Sequence, residues 1–204
     1  MPRPDRCSSM ARWLLLCLAL AGCTVRPDAS PRSSARSTGG AAPALDDLAR
    51  RVHAETNAAR TQAGLAAVDW SPRLARIAQG HSEDMARRGY FDHVSPDGVT
   101  PRQRGAAAGV SCRKPLSERQ VRVGVLENLY QTTRYASVVE HRTGSMRTRT
   151  VEWLSPGDVA RAAVTGWLES PGHRRNLLDI RADAQGIGVA VSPDSLVLVT
   201  QVLC

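Results

Sequence analysis

The chain has 204 residues, enough for one domain of ordinary size with extra segments and too few for two full ones. Its formal charge is +8, mostly arginine, which favours anionic surfaces such as lipid headgroups or acidic polymers and says nothing about fold. Nucleic acid is set aside as a partner, because aromatic residues make up only 4% of the chain, too few for stacking platforms, and no nucleic-acid-binding motif is present.

Residues 1–22 read as a lipoprotein signal peptide. Arg3, Arg6 and Arg12 form a basic start, and Trp13 to Ala21 is an apolar stretch too short to cross a bilayer as a helix. Removing these residues takes away a net two positive charges and leaves +6. Leu20-Ala21-Gly22-Cys23 resembles the lipobox of bacterial lipoproteins, which implies lipidation of Cys23 and a membrane partner. The alternative is an ordinary secretory signal with a chance cysteine. Thr24 rather than aspartate follows the cysteine, so in a diderm cell the resemblance implies an outer-membrane anchor facing the periplasm. Residues 23–44 form a tether of Pro, Ser, Arg, Gly and Ala that cannot offset its ordering entropy.

Residues 45–204 form the folded domain. Leu45, Leu48, Val52 and Ala59 predict a helix ending near Gly64. Ser71-Pro72 starts a second helix, with Leu74, Ile77, His81 and Met85 on one face and a stop at Gly89. A short third helix begins at Thr100-Pro101, a fourth after Ser155-Pro156, and a short turn of helix restarts at Ser170-Pro171. Val121, Val123 and Val125 alternate as a strand does, and Thr143-Gly144-Ser145 turns a hairpin whose return strand is Met146 to Trp153. Gly186–Ser192 and Leu196–Leu203 predict a terminal hairpin around Pro193-Asp194. Helices first and strands last point to an α+β fold, with an antiparallel sheet and helices packed on it.

Five cysteines are present, of which Cys7 and Cys17 leave with the signal and Cys23 carries lipid. Cys112 and Cys204 remain as a disulfide pair in an oxidising compartment, the alternative being two free thiols. His81 shares its stripe with Leu74, Ile77 and Met85, so it reads as a buried, hydrogen-bonded ring. Trp70, Trp153 and Trp167 read as core.

Four segments stand out: His81 to Met85, Tyr90 to Gly98, Glu127-Asn128-Leu129 and Gly166 to Leu178. Their order and spacing resemble the bacterial branch of the CAP superfamily (cysteine-rich secretory proteins, antigen 5 and pathogenesis-related proteins, the SCP-like domain), over roughly Leu45 to Cys204. The resemblance implies an α-β-α sandwich, with a central antiparallel sheet flanked by helices and a cleft lined by two histidines and two acids. The histidines fall on His93 and His173 and the first acid on Glu127. The second acid does not carry over: Ser170 stands where many relatives have glutamate, and Glu169 lies one step earlier, about 100° around the helix. Glu169 is therefore only a candidate fourth member.

Two imidazoles with a carboxylate suit Zn²⁺ or a similar divalent cation, with His93 and His173 as ligands; the alternative is that all three residues hold loops together. No zincin pair, nucleophile elbow or phosphate loop is present, so nothing marks an enzyme beyond a metal-assisted hydrolase using His93, Glu127 and His173. The expectation is an exported, membrane-anchored domain in the cell envelope that binds a small lipid, a divalent cation or an envelope component. A third reading is a scaffold acting through a basic insertion near 130–154. There Arg134, Arg142, Arg147 and Arg149 have only Glu140 nearby, and they could press on anionic lipid or cell-wall polymer.

Overall fold

A computed structural model describes residues 45–204; the predicted signal segment, Cys23 and the tether lie outside the described residues. The elements run α1 (Leu45–Gln62), β1 (Asp69–Trp70), α2 (Pro72–Arg88), α3 (Pro101–Ala107), β2 (Arg113–Pro115), β3 (Val121–Val123), β4 (Leu126–Thr133), β5 (Tyr135–Thr143), β6 (Met146–Trp153), α4 (Pro156–Glu169), α5 (Pro171–Leu177), β7 (Ala184–Val191) and β8 (Leu196–Leu203). The helix punctuation read from sequence is present in the structure. The Ser71 side chain caps α2, Gly89 ends it in the left-handed conformation, Thr100 and Gln103 form a capping box on α3, and Ser155 caps α4.

The central sheet has the order β1-β7-β8-β4. Its three long strands are antiparallel, as expected, and the two-residue β1 adds to β7 in parallel, so the sheet is mixed at that edge. Strand β8 is buried on both faces, which explains its nearly unbroken apolar run. Val197 and Val199 face α1 and α4, where Leu48, Val52, Ala163 and Trp167 complete the larger core. Leu198 and Val202 face α2, against Met85 and Leu74 respectively. The result is an α-β-α sandwich.

Helix α2 lies unusually close to the sheet. A Cβ on Gly186 would sit 1.9 Å from the Ala75 nitrogen, and one on Gly188 would sit 2.1 Å from the Gln79 nitrogen. Glycine is required at both positions to let the helix backbone touch the strand. Ser82 fastens the contact, donating to the Gly188 carbonyl at 3.0 Å and lying 2.8 Å from the Thr200 hydroxyl.

On the other face, Arg60 is 1% exposed and donates to the carbonyls of Ala66, Leu177, Asp179 and Ala182. A buried guanidinium is tolerable only with such a set of acceptors, and this one ties the end of α1 to the segment before β7. Cys112 and Cys204 form a disulfide, 92 residues apart in sequence, which joins the loop after α3 to the end of β8. Trp167 lies in the core, with its indole N–H on the Leu129 carbonyl at 2.8 Å. Trp70 packs partly buried against that core. Trp153 departs from the expectation: it sits at the root of the β5–β6 hairpin beneath the Arg134 guanidinium, 5.0 Å from the ring centre.

Two glycines test the close approach. Gly188→Ala is expected to cost about 3 kcal/mol or to block folding, because the new methyl meets helix backbone that cannot rotate away. Gly80→Ala, on the same helix with nothing within 4 Å of a Cβ, should gain about 0.5–1 kcal/mol. Urea unfolding of both variants checks the pair, and similar midpoints would mean the packing is looser than described.

Candidate functional site

Strand β4 is the outer strand of the sheet, and its alternation sends neighbouring side chains to opposite faces. Glu127 points to the α2 side and Asn128 to the side of α4 and α5. Both are buried.

The loop after α2 brings His93 to Glu127. Gly89 turns the chain out of the helix, and the His81 ring, 2% exposed, donates from Nε2 to the Asp92 carbonyl at 3.0 Å. His81 is thus the buried, hydrogen-bonded ring expected from its stripe. Its Nε2 also lies 3.8 Å from Glu127 Oε1, a proximity the sequence did not disclose. His93 Nδ1 is 2.9 Å from the same oxygen. A carboxylate can only accept, so Nδ1 carries a proton in this contact.

The second carboxylate oxygen is also engaged. Arg104, on α3, donates from Nη2 to Glu127 Oε2 at 2.7 Å and to the His93 carbonyl at 2.9 Å. It joins the loop, the helix and the strand at one point. Sequence reasoning missed Arg104; the only signal was an arginine without a nearby acid, one turn into a helix that starts at the Thr100 cap.

From the opposite face, α5 brings His173 over the same strand edge. The Asn128 amide donates to the His173 carbonyl at 3.1 Å, and Asn176 donates to the Glu127 carbonyl at 3.0 Å and to Asn128 Oδ1 at 3.0 Å. The rings of His93 and His173 lie with centroids 6.2 Å apart and planes tilted by 53°. Burial holds His173 below the usual imidazole range, and the neighbouring His93 acts in the same direction. Glu169 is exposed on the last turn of α4, and no described hydrogen bond or ion pair joins it to the other three. Among the described residues no group of three or more His, Cys, Asp or Glu side chains is arranged to hold a metal ion. The arrangement brings two imidazoles together at the edge of β4, with Glu127 hydrogen-bonded to one of them.

Comparison with known proteins agrees with this architecture. The cysteine-rich secretory protein (CAP) family profile matches residues 53–203. The chain is 31% identical over 134 residues to the uncharacterized membrane protein YlbC of Bacillus subtilis, covering 66% of this chain and 29% of that one. It is 26% identical over 143 residues to the uncharacterized protein YkwD of the same organism, covering 70% and 42% respectively. The chain thus spans less than half the length of either relative. Among solved structures, an extracellular protein containing an SCP domain from Bacillus anthracis superposes with a TM-score of 0.52 at 25% identity, over 78% of this chain and 41% of that one. An outer surface protein of Borrelia burgdorferi superposes with a TM-score of 0.53 at 16% identity, over 78% and 91%, and shares the fold.

One buried and two half-buried histidines set a pH dependence of stability. His53, His81 and His173 are all held below the usual imidazole range, in each case first because burial disfavours the charged ring. The unfolded chain takes up these protons near pH 6.5 and the folded chain does not, so stability is complete above that pH and falls as pH drops through it. The lowered carboxyls of Asp97, Asp158 and Asp179 act only below about pH 4 and do not confuse this window. Urea midpoints should therefore be lower at about pH 5.5 than at about pH 7.5, and a flat profile would contradict the burial of these rings.

Proposed function

The chain belongs to the cysteine-rich secretory protein (CAP) family, and on that premise we propose that it is an extracytoplasmic CAP domain of the cell envelope, anchored through acylated Cys23, whose His93–His173 pair is a binding site with a divalent cation as its first ligand. The observation that carries the cation reading is the proximity of the His93 and His173 rings, 6.2 Å between centroids, with the Nδ1 proton of His93 directed onto Glu127. Nε2 is then the nitrogen of His93 left to ligate, the arrangement in which a carboxylate behind a ligand histidine fixes its tautomer. The lowered His173 ring supplies the neutral form that metal binding needs. A cation held there would supply a positive centre for an anionic or carbonyl-bearing ligand, and water would complete its coordination.

A binding role fits the site better than metal-assisted hydrolysis. Both oxygens of Glu127 are engaged, one by His93 and one by Arg104, so the carboxylate acts through His93 rather than on a bound molecule. The envelope location is supported by the lipobox-like Leu20 to Cys23, the Cys112–Cys204 disulfide and the extracellular and membrane descriptions of the relatives in B. anthracis and B. subtilis.

Calorimetric titration of Zn²⁺ into the chain beginning at Thr24 should show one site. His93→Ala and His173→Ala should each abolish it, and Glu127→Gln should weaken it by about tenfold or more. Uptake that survives in the double histidine variant, or no uptake by the parent chain, would overturn the cation reading. Labelled palmitate should be incorporated by cells expressing the full chain and lost in Cys23→Ser; labelling that persists in the variant would remove the anchor.

A further inference from the structure

The β5–β6 hairpin stands apart from the site and from both cores. Its two strands pair only with each other, and Arg134 joins them to the sheet, its N–H on the Ser195 carbonyl at 3.0 Å and its carbonyl accepting from Leu154 at 3.0 Å. The ribbon thus continues the line of β4 beyond the sheet, and every residue from 139 to 150 is exposed. A lone two-stranded ribbon gains little from its own pairing.

The register gives the ribbon two different faces. Arg142 lies directly opposite Arg147, and the next pair on the same face is Glu140 opposite Arg149. Like charges directly opposite each other destabilise a strand pair, and among the described residues none of these three arginines forms an ion pair. An anion lying against this face removes the repulsion. The other face carries Val139 and, beside the turn, Met146, which are 45% and 64% exposed. Near the turn, two cross-strand arginines therefore lie on one face and an uncovered apolar side chain on the other, so that the end of the hairpin, rather than either flat face, presents both.

We propose that this hairpin tip docks on an anionic phospholipid surface, Arg142 and Arg147 taking lipid phosphates and Met146 entering the interface. Guanidinium groups match phosphate in charge and geometry, and basic residues gather at negatively charged bilayers. What favours a bilayer over a soluble anionic polymer is Met146: a phosphate-rich polymer in water gives an apolar side chain no place to go, whereas the boundary between headgroups and acyl chains does. Docking needs no lipid on Cys23, so it stands or falls separately from the anchor.

The test uses the unlipidated chain from Thr24, which contains the whole described core, in sedimentation with phosphatidylcholine vesicles with and without phosphatidylglycerol. The chain should bind only the anionic vesicles. Arg142→Glu should reduce that binding by at least about tenfold, while amide exchange in β5 and β6 slows, because the new glutamate faces Arg147 and strengthens the ribbon. Met146→Ser should weaken binding several-fold with the charge unchanged. Equal binding to both vesicle types, or unchanged binding by Arg142→Glu or by Met146→Ser, would falsify the proposal. Sedimentation with isolated cell-wall polymer but not with vesicles would assign the tip to polymer and overturn it equally.

Discussion

The contact on which the rest of the site depends is the backbone-to-backbone approach of α2 to β7 at Gly186 and Gly188. With no side chain between them, the helix sits low enough for Ser82 to reach the sheet and for His81 to reach both the loop carbonyl of Asp92 and the neighbourhood of Glu127. A larger residue at either glycine would lift the helix and, with it, the loop that carries His93. Packing density here is therefore also site geometry, since close-packed interiors transmit small displacements rather than absorbing them.

Strand β4 is the second element that couples fold to site. Its buried Glu127 and Asn128 are expensive unless every polar atom is satisfied, and both are met from several directions. Asn128 continues into a line of amides through the core: its Nδ2 donates to Gln201, which donates to Gln185, and Gln185 lies 2.9 Å from His53 Nδ1. Such a network fixes the register of β4, β8 and β7, because a one-residue slip would turn Glu127 and Asn128 to the wrong faces and leave buried amides without partners.

The two ends of the chain's charge distribution do different work. At the site, Arg104 is partly buried and uses Nη2 on Glu127 and the His93 carbonyl and Nη1 on the Val99 carbonyl, so its charge is used for construction. On the hairpin, Arg142, Arg147 and Arg149 stay in solvent and their charge remains available. Composition alone, with its excess of arginine, does not distinguish these uses; burial and partners do.

The sequence by itself determined much of this protein. Helix starts and stops were legible because Ser-Pro, Thr-Pro and glycine act through local backbone chemistry. The β5–β6 and β7–β8 hairpins were legible because turn residues separate runs with strand character, whereas only the second strand of the β2–β3 pair was read, and Cys112 and Cys204 were left as a pair by counting. Family-like spacing brought His93, Glu127 and His173 to notice. Tertiary structure alone decided the rest. Strand β4 was invisible because Leu-Glu-Asn-Leu-Tyr-Gln-Thr-Thr has no apolar alternation; its polar residues are buried only because α3 and α5 supply partners from far along the chain. The parallel β1 is two residues long, too short for any periodic signal. Arg104, the proximity of His81 and the exposure of Glu169 likewise depend on which elements meet across the sheet, and no local propensity encodes that meeting.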